Sequence, residues 1–553
     1  MHLIPMPEKG LLNSFPRVTP VQLNLLVGVF FLLAFNRTFW SIGYRLMDGN
    51  IFDLFLFGFG VCMLTQVVLA FFGFRYLQKP ILIFLLLVGA AASYYVDTLG
   101  AVIDREMIQN ILTTTFAESK HLVTPGYVLH MAVFGVSPSV LVAVIPVKRA
   151  GFVKTVVVQS ATAAMALVLC VGALLVNLKT YSVILRGNKE LMRSYQPGAP
   201  LNGLIKYATM VTKAAVMELQ PRGRDAVRVG ALAESDKPVL TVIVAGETVR
   251  SQNLGLAGYE RNTTPELSNT PNLVAFTDVQ SCGTATAVSL PCMFSRFDRQ
   301  NYSYEKGLSN ENLLDIVNHA GVKVEWWDNN TGDKDIAARL PTRSYTHTDD
   351  PENCAAGECR DGVFLDPLAA SLISINEDTT IVLHMIGSHG PAYDLRYPEE
   401  FRKFTPVCGT PELKNCSDEE IRNSYDNSIL YTDHVVSQII QMLQNRPDIA
   451  SSLVYVSDHG ESLGENGLYL HGAPYFMAPE TQTTVPMLFW FSDSYLEERP
   501  LDLNCLKDRA EQPASHANLF HSVLGLWDIE TIERQAEEDL IGGCQIEEKD
   551  TPS

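Results

Sequence analysis

Five apolar runs, at residues 21–40, 51–74, 80–99, 126–147 and 156–176, constrain this chain more than any other feature. Each is about 20 residues, the length that crosses a bilayer as an α-helix. A cleaved signal peptide could explain one run but not five, so the chain reads as a membrane protein with five transmembrane helices. Basic residues in the short loops set its orientation. Lys9 and Arg17 precede the first run, Arg75 and Lys79 separate the second from the third, and Lys148, Arg149 and Lys154 separate the fourth from the fifth. That side is expected to be cytoplasmic, although Arg37 and Arg45 near the other side reduce the contrast. An odd number of crossings then places everything after about residue 178 outside.

The charge balance changes along the chain. Residues 1–236 carry 20 Lys and Arg against 12 Asp and Glu, and the remainder 22 against 49. A second half this acidic offers no bulk surface for nucleic acid, and no nucleic-acid partner is expected. Of the ten cysteines, Cys62 and Cys170 lie in apolar runs and eight lie beyond residue 237. An even number, several in close pairs, points to disulfides in an oxidising compartment. The paired C-x-x-C spacing of a structural zinc site is lacking.

The expected organisation has three parts: a transmembrane domain at 1–178, a bridging linker and amphipathic helix at 179–236, and an outer catalytic domain at 237–553. Between the third and fourth runs, residues 101–120 carry Val102, Ile103, Met107, Ile111 and Leu112 at helical spacing, too polar overall to cross and suited to an outer interface. Asn110, Thr114 and Glu118 recur at i, i+4 and i+8 on its polar face. From about Lys237, short apolar runs alternate with helical stretches, the pattern of a parallel α/β sheet.

Three strand-like runs end in metal- or phosphate-binding side chains. "PVLTVIVAGET" reaches Glu247, "SSLVYVSDHGES" reaches Asp458 and His459, and "TTIVLHMIGSHGP" carries His384 and His389. Ligands of open α/β sheets bind beyond the carboxyl ends of strands, and a Glu, Asp and His set suits Zn²⁺ with a position left for a reacting group. The stretch "SCGTATAVSLPCMF" would put a hydroxyl at a helix N-terminus, where free N–H groups stabilise a phosphate. Metal coordination could activate that hydroxyl as a nucleophile. Spacing does not rank Thr284, Thr286 and Ser289.

"VAGETVRSQNLGLAGYERNTTPEL", "SCGTATAVSLPCMFS", "HMIGSHGPAY", "KFTPVC", "YDNSILYTDH" and "YVSDHGESLGENGLYLHG" closely resemble the lipid A phosphoethanolamine transferases, a family that includes the mobile colistin-resistance enzymes. The resemblance covers nearly the whole chain. It implies a five-helix anchor plus an α/β periplasmic domain of alkaline phosphatase/sulfatase-like fold, in a Gram-negative inner membrane. By position it implies Thr286 as nucleophile and Glu247, Thr286, Asp458 and His459 as Zn²⁺ ligands. Asn330, Thr331, Lys334, His389 and His471 fall on its substrate-pocket positions, and Asn110, Thr114 and Glu118 on positions implicated in lipid binding. It also implies disulfides Cys282–Cys292, Cys354–Cys359 and Cys408–Cys416. The pairing of Cys505 with Cys544 is a separate expectation, from the oxidation of exposed thiols in such a compartment.

The activity so implied is two-step transfer of phosphoethanolamine from phosphatidylethanolamine to a phosphate of lipid A, by a monomer among membrane lipids, with His389 or His471 moving protons. Its consequence would be resistance to polymyxins and other cationic peptides. A core-sugar acceptor, or glycerol-phosphate transfer on the same fold, is the alternative, though eight outer cysteines count against the latter. A sulfatase would need a Cys or Ser followed by Pro or Ala and then Arg at set spacing, which "CGTAT" and "CMFSR" do not supply. A non-catalytic scaffold is the reading from another class; the presence of the whole ligand set and nucleophile disfavours it.

Overall fold

The run Val239–Gly246 (β1) is buried along its whole length, and its successive side chains enter two different cores. Val239, Ile243 and Ala245 pack into one, and Leu240, Val242 and Val244 into the other. A strand with both faces covered needs no polar alternation, which is why it reads as a continuous apolar run. The computed structural model describes residues 17–355 and 357–546, without the side chains of 116–118. Lys9, one of the expected cytoplasmic charges, lies outside the described residues. Two compact units emerge, Met1–Arg105 with Val123–Ile205, and Glu106–Leu122 with Lys206–Ser553. Of the segment expected to lie at the outer interface, all but residues 101–105 belongs to the second unit, and the change of unit at 205 falls inside the helix Gly198–Ala214.

Among the described residues the first unit has four helices long and apolar enough to cross a membrane, Ile51–Ala70, Gln78–Leu99, Pro125–Val144 and Phe152–Val176. The first apolar run is not one straight helix but Pro20–Ala34 and Arg37–Leu46, bent by 68°. Asn36 accounts for the break. Fully buried, it donates from Nδ2 to the Phe31 and Gln196 carbonyls (2.8 and 2.9 Å) and accepts the Gln196 N–H at 2.8 Å. A side chain that takes backbone partners in this way competes with the helix ladder. The Pro125–Val144 span contains a π-helical stretch at Met131–Val136.

In the second unit β1 lies in an eight-stranded sheet. The other strands are Leu273–Gln280 (β2), Lys323–Asp328 (β3), Thr342–Ser344 (β4), Thr379–His384 (β5), Ala450–Ser457 (β6), Thr484–Phe491 (β7) and Ala514–Ser515 (β8). Their order is β8-β2-β7-β6-β1-β5-β3-β4, and only β7 runs antiparallel to its neighbours. The core on one face takes side chains from the helices Leu313–His319, Leu503–Ala510 and Ala517–Leu526. The other takes them from Leu365–Ser374 and Asp418–Gln444. Registers bring the strand ends level: Gly246 pairs with Ser457, Ala245 with His384, and His384 with Asp328. Disulfides join Cys282–Cys292, Cys354–Cys359, Cys408–Cys416 and Cys505–Cys544.

The stretch expected as one helix near 101–120 is two, Arg105–Thr113 and Phe116–Leu122. Thr114 sits in the break, so the i, i+4, i+8 face is interrupted. The Glu118 side chain lies outside the described residues.

Candidate active site

The level strand ends deliver the site. Glu247 leaves β1, and Asp458 with His459 leaves β6, all three fully buried. The helix Thr286–Met293 begins opposite them, after a turn closed by the Cys282–Cys292 bridge. Gly283 is required in that turn, because a Cβ there would lie 2.9 Å from the Ser289 backbone nitrogen. Gly387, at φ +50°, passes so close to Glu247 that a Cβ would meet its carbonyl oxygen at 2.5 Å. Both sites need a backbone without a side chain.

The three candidate hydroxyls have different partners. Thr284 Oγ1 donates to the Ala473 carbonyl at 2.6 Å. Ser289 Oγ donates to the Asp458 carbonyl at 2.5 Å and accepts the Gly283 N–H at 3.1 Å. Thr286 Oγ1 alone of the three faces the acidic cluster, 3.0 Å from Glu247 Oε2 and 3.3 Å from His459 Nε2.

One ligand atom from each of Glu247, Asp458 and His459 lies within 4.8 Å of the others. His459 Nδ1 donates to the Gly460 carbonyl at 2.9 Å, which leaves Nε2 as the lone-pair nitrogen facing the cluster. Asp458 Oδ1 accepts the N–H groups of Thr248 and His459 (3.2 and 2.7 Å), while Oδ2 has no hydrogen-bond partner among the described residues. Two buried carboxylates with one oxygen unpaired are costly without a cation. Burial pushes the Asp458 carboxyl up and, with the nearby His471, the His459 imidazole down to about 3. A neutral imidazole is what metal ligation uses, and a divalent ion would hold the carboxylate ionised. The donor set fits Zn²⁺.

Around this centre, Asn330 Nδ2 donates to Glu247 Oε2 and to the Met385 carbonyl, both at 2.8 Å. The His471 ring lies 4.5 Å from that of His459 and 5.3 Å from that of His389. Burial and His471 push His389 well below its ordinary pKa. Lys334 Nζ donates to the Thr331 and Thr113 carbonyls at 2.8 and 3.4 Å, tying the strand-end loop to the helix Arg105–Thr113. Thr114 Oγ1 donates to the Asn110 carbonyl at 2.6 Å, a bond within their own turn.

Sequence reasoning did not single out four groups that support these side chains. Glu461 is fully buried, accepting the Tyr393 hydroxyl at 2.9 Å and holding His471 Nδ1 at 3.0 Å. Asp328 holds His384 Nδ1 at 2.7 Å. Arg396 Nε donates to the His389 carbonyl at 2.8 Å. Gln109 Nε2 donates to the Ala287 carbonyl. Glu461 had a signal, an acid two residues beyond His459 at a buried strand end; the others depend on partners remote in sequence.

Two family models match the chain: phosphoethanolamine transferase EptA/EptB over residues 61–211 and sulfatase over residues 240–529. Phosphoethanolamine transferase EptA of Escherichia coli strain K12 is 42% identical over 487 residues, 87% of this chain and 88% of that protein. Phosphatidylethanolamine transferase Mcr-1 of Escherichia coli is 37% identical over 488 residues, 86% and 90% of the two chains. Among solved structures, the integral membrane protein lipooligosaccharide phosphoethanolamine transferase A (EptA) from Neisseria meningitidis aligns with a TM-score of 0.92 at 35% identity, covering 96% of this chain and 100% of that one. The chain therefore belongs to the phosphoethanolamine transferase family, with an outer domain of sulfatase-like fold.

Proposed function

We propose that this phosphoethanolamine transferase moves the group from phosphatidylethanolamine to a phosphate of lipid A in two steps through Thr286. It is a multi-pass protein of the Gram-negative inner membrane with its catalytic domain in the periplasm. The observation that carries the mechanism is Thr286 Oγ1 at the start of a helix, 3.0 Å from Glu247 Oε2.

In the first step Oγ1 bonds to the donor phosphorus, the bond from phosphorus to the glycerol oxygen breaks, and diacylglycerol leaves with a proton on that oxygen. In the second, an oxygen of the acceptor phosphate bonds to phosphorus, the bond to Oγ1 breaks, and the threonine hydroxyl regains its proton. Zn²⁺ held by Glu247, Thr286, Asp458 and His459 would supply Lewis-acid activation of the hydroxyl and offset charge on the transferring group. The free N–H groups at the helix start add to that charge stabilisation. His471, whose Nδ1 is held by Glu461 at 3.0 Å, or His389 beside it, would move the proton. The added amine would reduce negative charge on the outer surface and so weaken binding of polymyxins and other cationic peptides.

The test is incubation of the full-length protein with phosphatidylethanolamine and no acceptor. Peptide mass spectrometry should find phosphoethanolamine on Thr286. Turnover without any labelled Thr286 peptide would refute the covalent route.

A further inference from the structure

The first unit carries a groove of about 500 Å³ between the helices Pro20–Ala34, Ile51–Ala70 and Phe152–Val176. Val21, Leu25, Met63, Val158 and Leu169 are among its walls. Its two polar residues give hydrogen bonds to the backbone: Thr162 Oγ1 donates to the Val158 carbonyl at 2.8 Å, and Gln66 Nε2 to the Asn24 carbonyl at 3.2 Å. From Val158 to Leu169 the helix rises about 16 Å. Half the hydrocarbon core of a bilayer is about 15 Å, so the groove has the depth of one leaflet. The catalytic domain is periplasmic, and Phe152–Val176 is the last span before it among the described residues, so the Phe152 end is cytoplasmic. Val21 and Val158 lie within the first two turns of their helices, which places the groove in the cytoplasmic leaflet.

Cations gather at this mouth without acids. The chain has no Asp or Glu between Asp53 and Asp97, or between Glu118 and Glu190. The Val18 N–H donates to the Pro146 carbonyl at 3.1 Å and the Lys148 N–H to the Val18 carbonyl at 2.8 Å, which brings Lys148 to the turn before Val21. Arg149 Nη1 donates to Gln78 Oε1 at 3.0 Å, and Gln78 Nε2 to Asn24 Oδ1 at 2.8 Å. Asn24 in turn accepts the Gln66 amide of the groove wall, so a chain of amides links Arg149 to the groove. Desolvation and the nearby charge of Arg75 push the Arg149 guanidinium below its ordinary pKa. Lys79 is occupied by the Ala143 and Ile145 carbonyls. Arg17, Arg75, Lys148, Arg149 and Lys154 are exposed and form no ion pair among the described residues.

We propose that this groove and its cations hold one anionic phospholipid of the cytoplasmic leaflet, with an acyl chain along Val158–Leu169 and the phosphate at Arg75, Lys148 and Arg149. A zwitterionic headgroup would bring an ammonium to a place where no carboxylate meets it, whereas a net-negative one offsets the repulsion among the cations. Arg75 lies over the ring of exposed Tyr76, 5.3 Å from its centroid, an aromatic at the depth where interfacial tyrosines collect. This lipid is not the donor, which must reach Thr286 on the other side of the membrane, and the assignment does not depend on the route of transfer.

The test is native mass spectrometry of the full-length protein in detergent, titrated with phosphatidylglycerol or, as the neutral comparison, phosphatidylcholine. Wild type should bind phosphatidylglycerol about tenfold more tightly, the scale of a basic residue or two acting on an anionic headgroup. Arg75→Gln combined with Lys148→Gln, both at exposed side chains, should remove that preference. Ala161→Phe fills the groove from an exposed position on its wall and should weaken both lipids about tenfold while the preference stays. Thermal melting confirms that each variant folds. Equal binding of the two lipids by wild type, or a preference that survives the double variant, would overturn the headgroup assignment. Unchanged binding by Ala161→Phe would overturn the groove as the seat of the chain. Inorganic phosphate that displaced phosphatidylglycerol at equal concentration would also overturn the proposal, by giving the cations to a soluble anion.

Discussion

The side-chain amide of Gln109 donates a 3.0 Å hydrogen bond to the carbonyl of Ala287, in the first turn of the helix that Thr286 begins. That carbonyl would ordinarily receive the N–H four residues on, but residue 291 is proline and has none. Gln109, itself 4% exposed, fills the place. A helix read from sequence as lying at the outer interface thereby completes the ladder of the helix that carries the reacting hydroxyl.

Replacing the amide should leave a buried carbonyl unpaired. Gln109→Leu is expected to cost about 1–3 kcal/mol of stability and to lower the transfer rate. Pro291→Ala restores a backbone N–H to Ala287, so the same Gln109→Leu change should cost less than half as much in that background. Thermal melting of the four proteins gives the cycle. An equal cost in both backgrounds would show that Gln109 acts some other way.

How much of this was legible in the sequence depended on how local the cause was. The strands are covered on both faces, so β1, β5 and β6 stood out as apolar runs, and the acids and histidines at their ends stood out with them. The ranking of the three hydroxyls was hidden, because Thr284 is fixed by Ala473 and Ser289 by Asp458, each more than 160 residues away. The bend in the first span was hidden for the same reason: Asn36 looks like any polar residue until Gln196 is beside it. Residues 101–120 carry apolar side chains at helical spacing, and periodicity gave no sign of the break at Thr114.

The Asp458 carboxylate should be decisive for the metal. Asp458→Asn keeps an oxygen for the Thr248 and His459 N–H groups but loses the charge and the unpaired Oδ2. Zinc, about one per chain for a site of this kind, should fall to a small fraction of that, with the melting transition still cooperative. Wild-type zinc content in the variant, measured by elemental analysis of the purified protein, would remove Asp458 from the ligand set.

Glu358 should make stability depend on acid. Burial works against its charge, but the hydrogen bond to His121, the positive charge of Arg396 and the hydrogen bond from Lys120 outweigh that and hold the carboxyl far below its ordinary value. A carboxyl depressed in the folded state stabilises above its unfolded pKa, about 4.3, and loses that contribution as pH falls toward the folded value. Glu358→Gln should therefore cost about 3 kcal/mol near neutral pH, and the gap between wild type and variant should narrow below about pH 4. Hydrogen exchange in residues 119–122 should rise in the variant, because Lys120 and His121 lose their shared partner. A gap in melting temperature that stayed constant down to about pH 3 would rule out this carboxyl as its source.

The last prediction separates the three hydroxyls by what each touches. Thr284 and Ser289 hold backbone carbonyls of other segments, Ala473 and Asp458, so their loss should appear as instability. Thr284→Val and Ser289→Ala should each cost about 1–3 kcal/mol, yet both proteins should still carry phosphoethanolamine on Thr286 after incubation with phosphatidylethanolamine. Thr286→Ala should behave in the opposite way. Among the described residues its hydroxyl holds no backbone group and meets only Glu247 and His459, so its removal should leave folding intact and most of the zinc in place while abolishing both label and transfer. Thr286→Ser retains the oxygen at the same helix position and should recover part of the activity, with slower loading because an extra rotamer is open to the smaller side chain. Label found on Thr284 or Ser289 in the Thr286→Ala protein would move the nucleophile within the turn, and full transfer by that variant would leave the turn with a purely structural role.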